Sequence, residues 1–198
     1  MSNKLIIIGN GESVLNKKNG SYIDDFDVVI RCNECIIKGY EDYVGTKTDI
    51  LSVASKGILV KIIEGVGKTS NETYINDVST IWFTRPFYEK YYDSQNKYPN
   101  DKLLKTKGIE NIKVINNSTF NDIHKGKDKN TYLSTGIVTI LMAIENYSDY
   151  DIYIMGFDGF KSGHYFKDNL KDIGNRHNKK NESLFLGELI KKHKIKII

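Results

Sequence analysis

The sequence predicts a single Rossmann-like α/β domain, a mostly parallel central sheet of about seven strands with helices on both faces. Seven short apolar runs, at 4–8, 27–31, 49–53, 79–83, 112–115, 151–155 and 194–198, are β-branched and nearly continuous, the pattern of strands covered on both sides. The intervals between them carry helix signals, and alternating strands and helices build a doubly wound sheet whose ligands bind beyond the carboxyl ends of the strands. At 198 residues the chain suits one core, and one domain is expected over 1–198.

The first run ends in Gly9-Asn10-Gly11-Glu12-Ser13, a glycine-containing turn. Glycines let backbone N–H groups approach a phosphate or ribose, and Asn10 offers both a donor and an acceptor. An ordinary strand-to-helix turn explains the same residues. Val14 stands where a dinucleotide fingerprint would place its third glycine, which disfavours a Rossmann-type oxidoreductase or phosphotransferase. The second run ends in Ile30-Arg31-Cys32-Asn33, so adjacent strand ends set Asn33 near Asn10, where the two could grip one ligand; a cap or turn role for Asn33 stays open. Lys47, in Val44-Gly45-Thr46-Lys47-Thr48, is expected in a solvated turn into strand three more than at a phosphate.

The tract 84–108 breaks the alternation. It carries both prolines (Pro86 and Pro99), Phe87, Tyr88, Tyr91, Tyr92 and Tyr98 among many charges, and is expected to be an irregular insertion of helix and loop. Ser134 or Thr135 caps a helix whose Ile137, Ile140, Leu141 and Ile144 share a face, and Leu186, Leu189 and Ile190 mark another helix over 182–192. The free N–H groups ahead of Gly136 favour an anion. Gly156-Phe157-Asp158 follows the sixth run, then Gly163-His164-Tyr165-Phe166 and His177. His164 and Tyr165 can donate to a leaving phosphate, and His177 can take a proton from a hydroxyl near neutral pH. His124 and His193 are assigned to surface or satisfied roles.

Net charge is +4, with lysines scattered instead of clustered, which speaks against nucleic acid as partner. Cys32 and Cys35 form a lone C-x-x-C pair, expected to be two reduced structural thiols, and no metal site is expected. The residues following Met1 are neither a signal peptide nor a membrane span, and the chain is expected to be cytoplasmic.

Taken together these motifs resemble the sialyltransferases, both the animal type (glycosyltransferase family 29) and the bacterial type (family 42). The large first motif is similar to 5–49, the small motif to 134–158, the third to His164-Tyr165, and the very short motif to His177 and Glu182. The resemblance implies an inverting, metal-independent glycosyltransferase on a GT-A-like variant of the Rossmann fold, with no cofactor, using a CMP-activated acid sugar as donor. By the same likeness Asn10, Gly11, Ser13, Asn33, Ser134, Thr135, Gly136, Gly156, Phe157, Asp158 and Tyr165 hold the nucleotide sugar. His164 supports the departing phosphate, His177 is the catalytic base, and Glu182 braces the His177 loop. The acceptor would be a glycan or glycolipid; a peripheral membrane contact at the inner face and a homo-oligomer are compatible with it. Transfer from CMP-Kdo and an inactive CMP-binding module are the alternatives. The chain departs from the animal enzymes in lacking the cysteines that would join the first and small motifs and in showing no anchor, which points to the cytoplasmic bacterial or viral style.

Overall fold

The computed structural model describes residues 2–55, 58–59, 62, 78–85, 109–124, 133–159, 161, 163–166 and 179–198. Nearly all of the 84–108 tract, and His177, lie outside the described residues. Seven strands form one sheet: β1 (Lys4–Ile8), β2 (Val28–Cys32), β3 (Ile50–Val53), β4 (Thr80–Phe83), β5 (Asn111–Val114), β6 (Asp151–Met155) and β7 (Lys196–Ile197). Every neighbouring pair is parallel, and the order is β5-β4-β3-β2-β1-β6-β7.

This order steps one way from β1 through β2 to β5, then returns to place β6 on the other side of β1. The reversal between β1 and β6 is the switch point at which a doubly wound sheet opens a crevice for its ligand. Their register, Leu5 on Ile152 through Ile8 on Met155, brings Gly9 and Gly156 out of the sheet side by side.

Burial on both faces explains the unbroken apolar runs. Leu5 and Ile7 point to one side with Ile30, Ile50, Trp82 and Ile154, under the helices α3 (Asn117–His124), α4 (Thr135–Asn146) and α5 (Lys179–His193). Ile6 and Ile8 point to the other, against Val14 of a 3₁₀ turn (Glu12–Asn16), Ile23 of α1 (Gly20–Asp24) and Val44 of α2 (Glu41–Val44). Leu51, Val53, Ile81 and Phe83 form a third cluster on that second face. Each fully buried aliphatic side chain stabilises the fold by roughly 1.5–3 kcal/mol. The edges β5 and β7 are short and largely exposed, with Lys113 and Lys196 on them, a composition that discourages pairing with another sheet. Among the described residues no helix is long and apolar enough to cross a membrane.

Arg31 is the exception within the sheet, a cation with 0% exposure. Its Nε donates to the Thr48 hydroxyl at 2.9 Å and its Nη2 to the carbonyls of Val44 at 2.7 Å and Lys47 at 3.0 Å, so it holds the turn that leads from α2 into β3. On the far side of that turn the Asp24 carboxylate takes the N–H groups of Thr46 and Lys47, and Lys47 Nζ reaches the carbonyls of Phe26 and Asp27. Lys47 is thus a fastener of the turn into β3.

Cys32 and Cys35 are free and buried. Burial pushes the Cys32 thiol up to about 12 and the Cys35 thiol up to about 11. Both therefore stay protonated near neutral pH, the behaviour of structural thiols.

Candidate active site

The crevice at the switch point is built from backbone that only glycine permits. Gly9 N–H donates to Met155 O at 2.8 Å and Gly11 N–H to Gly156 O at 3.0 Å, lacing the first turn to the end of β6. A Cβ on Gly9 would lie 2.4 Å from Gly156 O, and Gly156 itself has φ +73°. The close approach explains the Gly-x-Gly turn without any ligand. It also corrects the expectation that Gly11 offers its N–H to a phosphate: that donor is already spent inside the protein.

Ser13 and Asp158 are likewise engaged with each other. The Asp158 carboxylate accepts the Ser13 N–H at 3.0 Å and the Ser13 hydroxyl, so it satisfies donors at the head of the 3₁₀ turn. The carboxylate reaches them only because residue 11 has no side chain; a Cβ there would stand 2.5 Å from the Asp158 carboxyl carbon. The sequence suggested both residues as nucleotide contacts, whereas the structure makes them a clasp across the crevice.

Asn10 sits between these two lacings and is differently disposed. Its Nδ2 donates to the Cys32 carbonyl at 3.0 Å, and its own carbonyl receives the Tyr165 N–H at 3.0 Å. Its Oδ1 is buried and has no partner among the described residues. A buried amide oxygen without a donor is costly, so this atom is a candidate acceptor at the crevice. Asn33, at the end of the neighbouring strand, adopts φ +51°, a left-handed conformation that asparagine tolerates. Its Oδ1 accepts the Ala54 N–H at 2.9 Å and bridges β2 to β3, so the oxygen serves the turn.

From the other side comes the amino end of α4. Ser134 occupies the cap position with extended backbone (φ −64°, ψ 157°), but its hydroxyl makes no capping bond. The N–H of Ser134 is taken by Glu182 Oε1 at 3.0 Å, and Glu182, from the first turn of α5, is 2% exposed. Glu182 thus ties α5 to the amino end of α4, a bracing contact made with Ser134. A Cβ on Gly136 would meet Phe157 Cε1 at 2.8 Å, so the Phe157 ring lies against the first turn of α4. Within the helix, Thr139 Oγ1 donates to Thr135 O at 2.7 Å and stands 2.7 Å from Ser52 Oγ, which fixes α4 over β3.

His164 joins the same crevice, pairing with Gly11 in an isolated antiparallel bridge, its ring 5.4 Å from that of Phe166. Tyr165 turns the other way. It is 6% exposed, its hydroxyl donates to the Ile36 carbonyl, its ring meets Tyr40 edge-on at 5.0 Å, and burial pushes its phenol well above the usual range. The expectation that its hydroxyl serves a phosphate is corrected by that engagement with the protein core.

Of the two roles left open for His124, surface or satisfied, the structure shows the second, with the ring buried. His124 Nδ1 lies 2.8 Å from Phe120 O, and its Nε2 accepts the Leu133 N–H at 3.0 Å, which calls for a neutral ring with the proton on Nδ1. It holds the segment just ahead of Ser134. Its lysine-rich sequence surroundings hid a buried role, and nothing in the sequence spacing links it to Leu133.

An all-parallel sheet whose strand order reverses between β1 and β6, with helices packed on both faces, places this molecule among the doubly wound α/β proteins. Within that class, the chain belongs to glycosyltransferase family 29 (sialyltransferase), whose family model matches residues 3–194. A type 2 lactosamine alpha-2,3-sialyltransferase of Homo sapiens is 25% identical over 215 aligned positions, covering 96% of this chain and 62% of that protein. A CMP-N-acetylneuraminate-beta-1,4-galactoside alpha-2,3-sialyltransferase of Rattus norvegicus is 45% identical over 56 residues, 28% of this chain and 15% of that one. The chain therefore spans less than two thirds of the length of these relatives. A crystal structure of a mammalian sialyltransferase in complex with Gal-beta-1-3GalNAc-ortho-nitrophenol shares the fold, with TM-score 0.63 and 19% identity over 100% of this chain and 69% of that chain.

Proposed function

We propose that this chain transfers sialic acid from CMP-sialic acid to a glycan hydroxyl, with inversion at the anomeric carbon and without a metal ion. The observation that carries the reading is the family match along residues 3–194, nearly the whole chain. The unpartnered Asn10 Oδ1 beside Asn33, and the amino end of α4 with its uncapped Ser134, supply the complementary polar groups that a nucleotide monophosphate needs.

The chemistry follows from the donor. The acceptor hydroxyl attacks the anomeric carbon as the bond from that carbon to the phosphate oxygen breaks, and CMP departs with the electron pair. The transition state has oxocarbenium character. His177 takes the hydroxyl proton on the attacking face, and His164 stabilises the growing phosphate charge on the other. A donor already activated by its phosphate needs no further Lewis acid for this exchange. Galactose is the acceptor sugar that the names of the relatives suggest. The 84–108 tract leaves the carboxyl end of β4, the edge on which the crevice opens, and is the candidate acceptor side.

The test is incubation with CMP-sialic acid and separately with CMP-Kdo, with and without galactose-terminated acceptors, following CMP release. The expected result is acceptor-dependent release from CMP-sialic acid that His177→Ala abolishes while CMP affinity stays nearly intact. Turnover confined to CMP-Kdo, or CMP binding with no turnover on any acceptor, would overturn the proposal.

A further inference from the structure

We infer that Thr139 is a positioning residue for the nucleotide: its buried hydroxyl is a hub that sets the amino end of α4 against the strand ends carrying Asn10 and Asn33, and so fixes the width of the crevice. This inference rests on the nucleotide reading above and adds Thr139, Ser52 and Cys32, three residues that the proposed chemistry does not use.

The hub joins three elements. Thr139 Oγ1 lies 2.7 Å from Thr135 O in the first turn of α4, 2.7 Å from Ser52 Oγ of β3 and 3.7 Å from Cys32 Sγ of β2. Cys32 and Ser52 are register partners on neighbouring strands. Water reaches none of the three: Ser52 and Thr139 are 0% exposed and Cys32 4%.

The direction of each bond follows from the atoms. A carbonyl only accepts, so the Thr139 proton goes to Thr135 O, and the Ser52 hydroxyl must then donate to Thr139. The Cys32 thiol, protonated near neutral pH, donates to the same oxygen. One proton given and two received use the full capacity of a hydroxyl. The other buried positions of α4 are Ile137, Val138, Ile140, Met142 and Ala143, so a hydroxyl among them is the anomaly. Valine has nearly the shape of threonine and would serve packing alone. A fully satisfied buried polar network adds what valine lacks, a single arrangement of the elements it joins.

Two of these residues also reach the crevice through their main chains. Cys32 O accepts Asn10 Nδ2 at 3.0 Å, and Ser52 O accepts the Asn33 N–H at 2.7 Å. Thr135, the third partner of the hub, directly follows the uncapped Ser134. Both walls of the proposed nucleotide site, the asparagine-bearing strand ends and the first turn of α4, are thus tied to one oxygen. Hydrogen bonds weaken steeply with distance and angle, so this tie sets the separation of the walls more narrowly than apolar contact does.

The experiment compares the affinities of CMP and of cytidine, which lacks the phosphate assigned to α4, for the full chain by calorimetry at pH 7.5, with urea unfolding on the same samples. CMP spans both walls and cytidine only one. Thr139→Val is expected to lower the CMP-to-cytidine affinity ratio on the order of tenfold, and Thr139→Ser, which keeps the hydroxyl, to preserve it. Thr139→Val also strands the Ser52 proton and so destabilises the fold. The double variant Ser52→Ala, Thr139→Val removes that orphan and should recover part of the stability while the ratio stays low. If Thr139→Val does not fold, Ser52→Ala decides, since it keeps the bond to Thr135, cuts the tie to β3 and should lower the ratio in the same direction. An unchanged ratio in these variants, or a ratio that recovers with stability in the double variant, would overturn the inference while leaving the nucleotide reading intact. A wild-type protein that binds neither ligand would overturn the nucleotide reading, and this inference with it.

Discussion

Asp158 closes the glycine turn of β1 by taking both the N–H and the hydroxyl of Ser13, so a carboxylate of the protein sits where many α/β folds receive a phosphate. Under the proposed function, ligand phosphate belongs at the amino end of α4 and not at the first turn. Asp158→Ala is expected to free Ser13, cost about 1–3 kcal/mol of stability from the lost charge-assisted bonds, and weaken CMP binding. Asp158→Asn, which keeps one acceptor, should fall between. Denaturant unfolding and calorimetry on the same samples check both effects.

Gly11→Ala tests the same clasp from the other side. Its Cβ would stand 2.5 Å from the Asp158 carboxyl carbon and 2.8 Å from Gly156 O, and backbone cannot yield as a flexible side chain does. A loss of stability in the range of about 1–3 kcal/mol is expected. The combined variant Gly11→Ala, Asp158→Ala should lose less than the sum of the two single changes, because both act on one contact.

Glu182→Gln keeps an oxygen for the Ser134 N–H, and Glu182→Ala does not. The expected outcome is that Glu182→Gln retains most activity and stability while Glu182→Ala lowers both, the stability by about 1–3 kcal/mol, as a buried donor loses its acceptor. Activity equal in the two variants would separate Glu182 from the site.

The buried thiols give a pH dependence of known sign. In the unfolded chain a cysteine ionises near pH 8.5, whereas in the folded protein burial holds Cys32 up to about 12 and Cys35 up to about 11. Above about pH 8.5 the unfolded state therefore carries fewer protons than the native state, and stability falls as pH rises toward about 11. Urea midpoints measured from pH 7.5 to 10.5 should decline, and the decline should be shallower in Cys32→Ala and Cys35→Ser.

The sheet was legible because central parallel strands write themselves as continuous β-branched runs; β1 and β6 fall on the residues that the pattern marks, and the others shift by only one or two. The switch-point crevice was legible for the same reason, since Gly9-Asn10-Gly11 and Gly156 follow two of those runs. What the pattern could not show is which polar groups the protein spends on itself. Asp158 meets Ser13, Glu182 meets Ser134 and Tyr165 meets Ile36 across long stretches of chain, and such pairings leave no periodic trace. Nothing in the pattern marks Arg31 as buried or decides between a surface and a satisfied His124, because burial of a single polar side chain is set by tertiary packing.

The sharpest test is a crystal structure of the chain with CMP. The nucleotide is expected between the ends of β1 and β6 and the amino end of α4, with a ligand donor within hydrogen-bond distance of Asn10 Oδ1 and the phosphate clear of the Ser13–Asp158 clasp. CMP bound on another surface, or a phosphate that displaces Asp158 from Ser13, would contradict it.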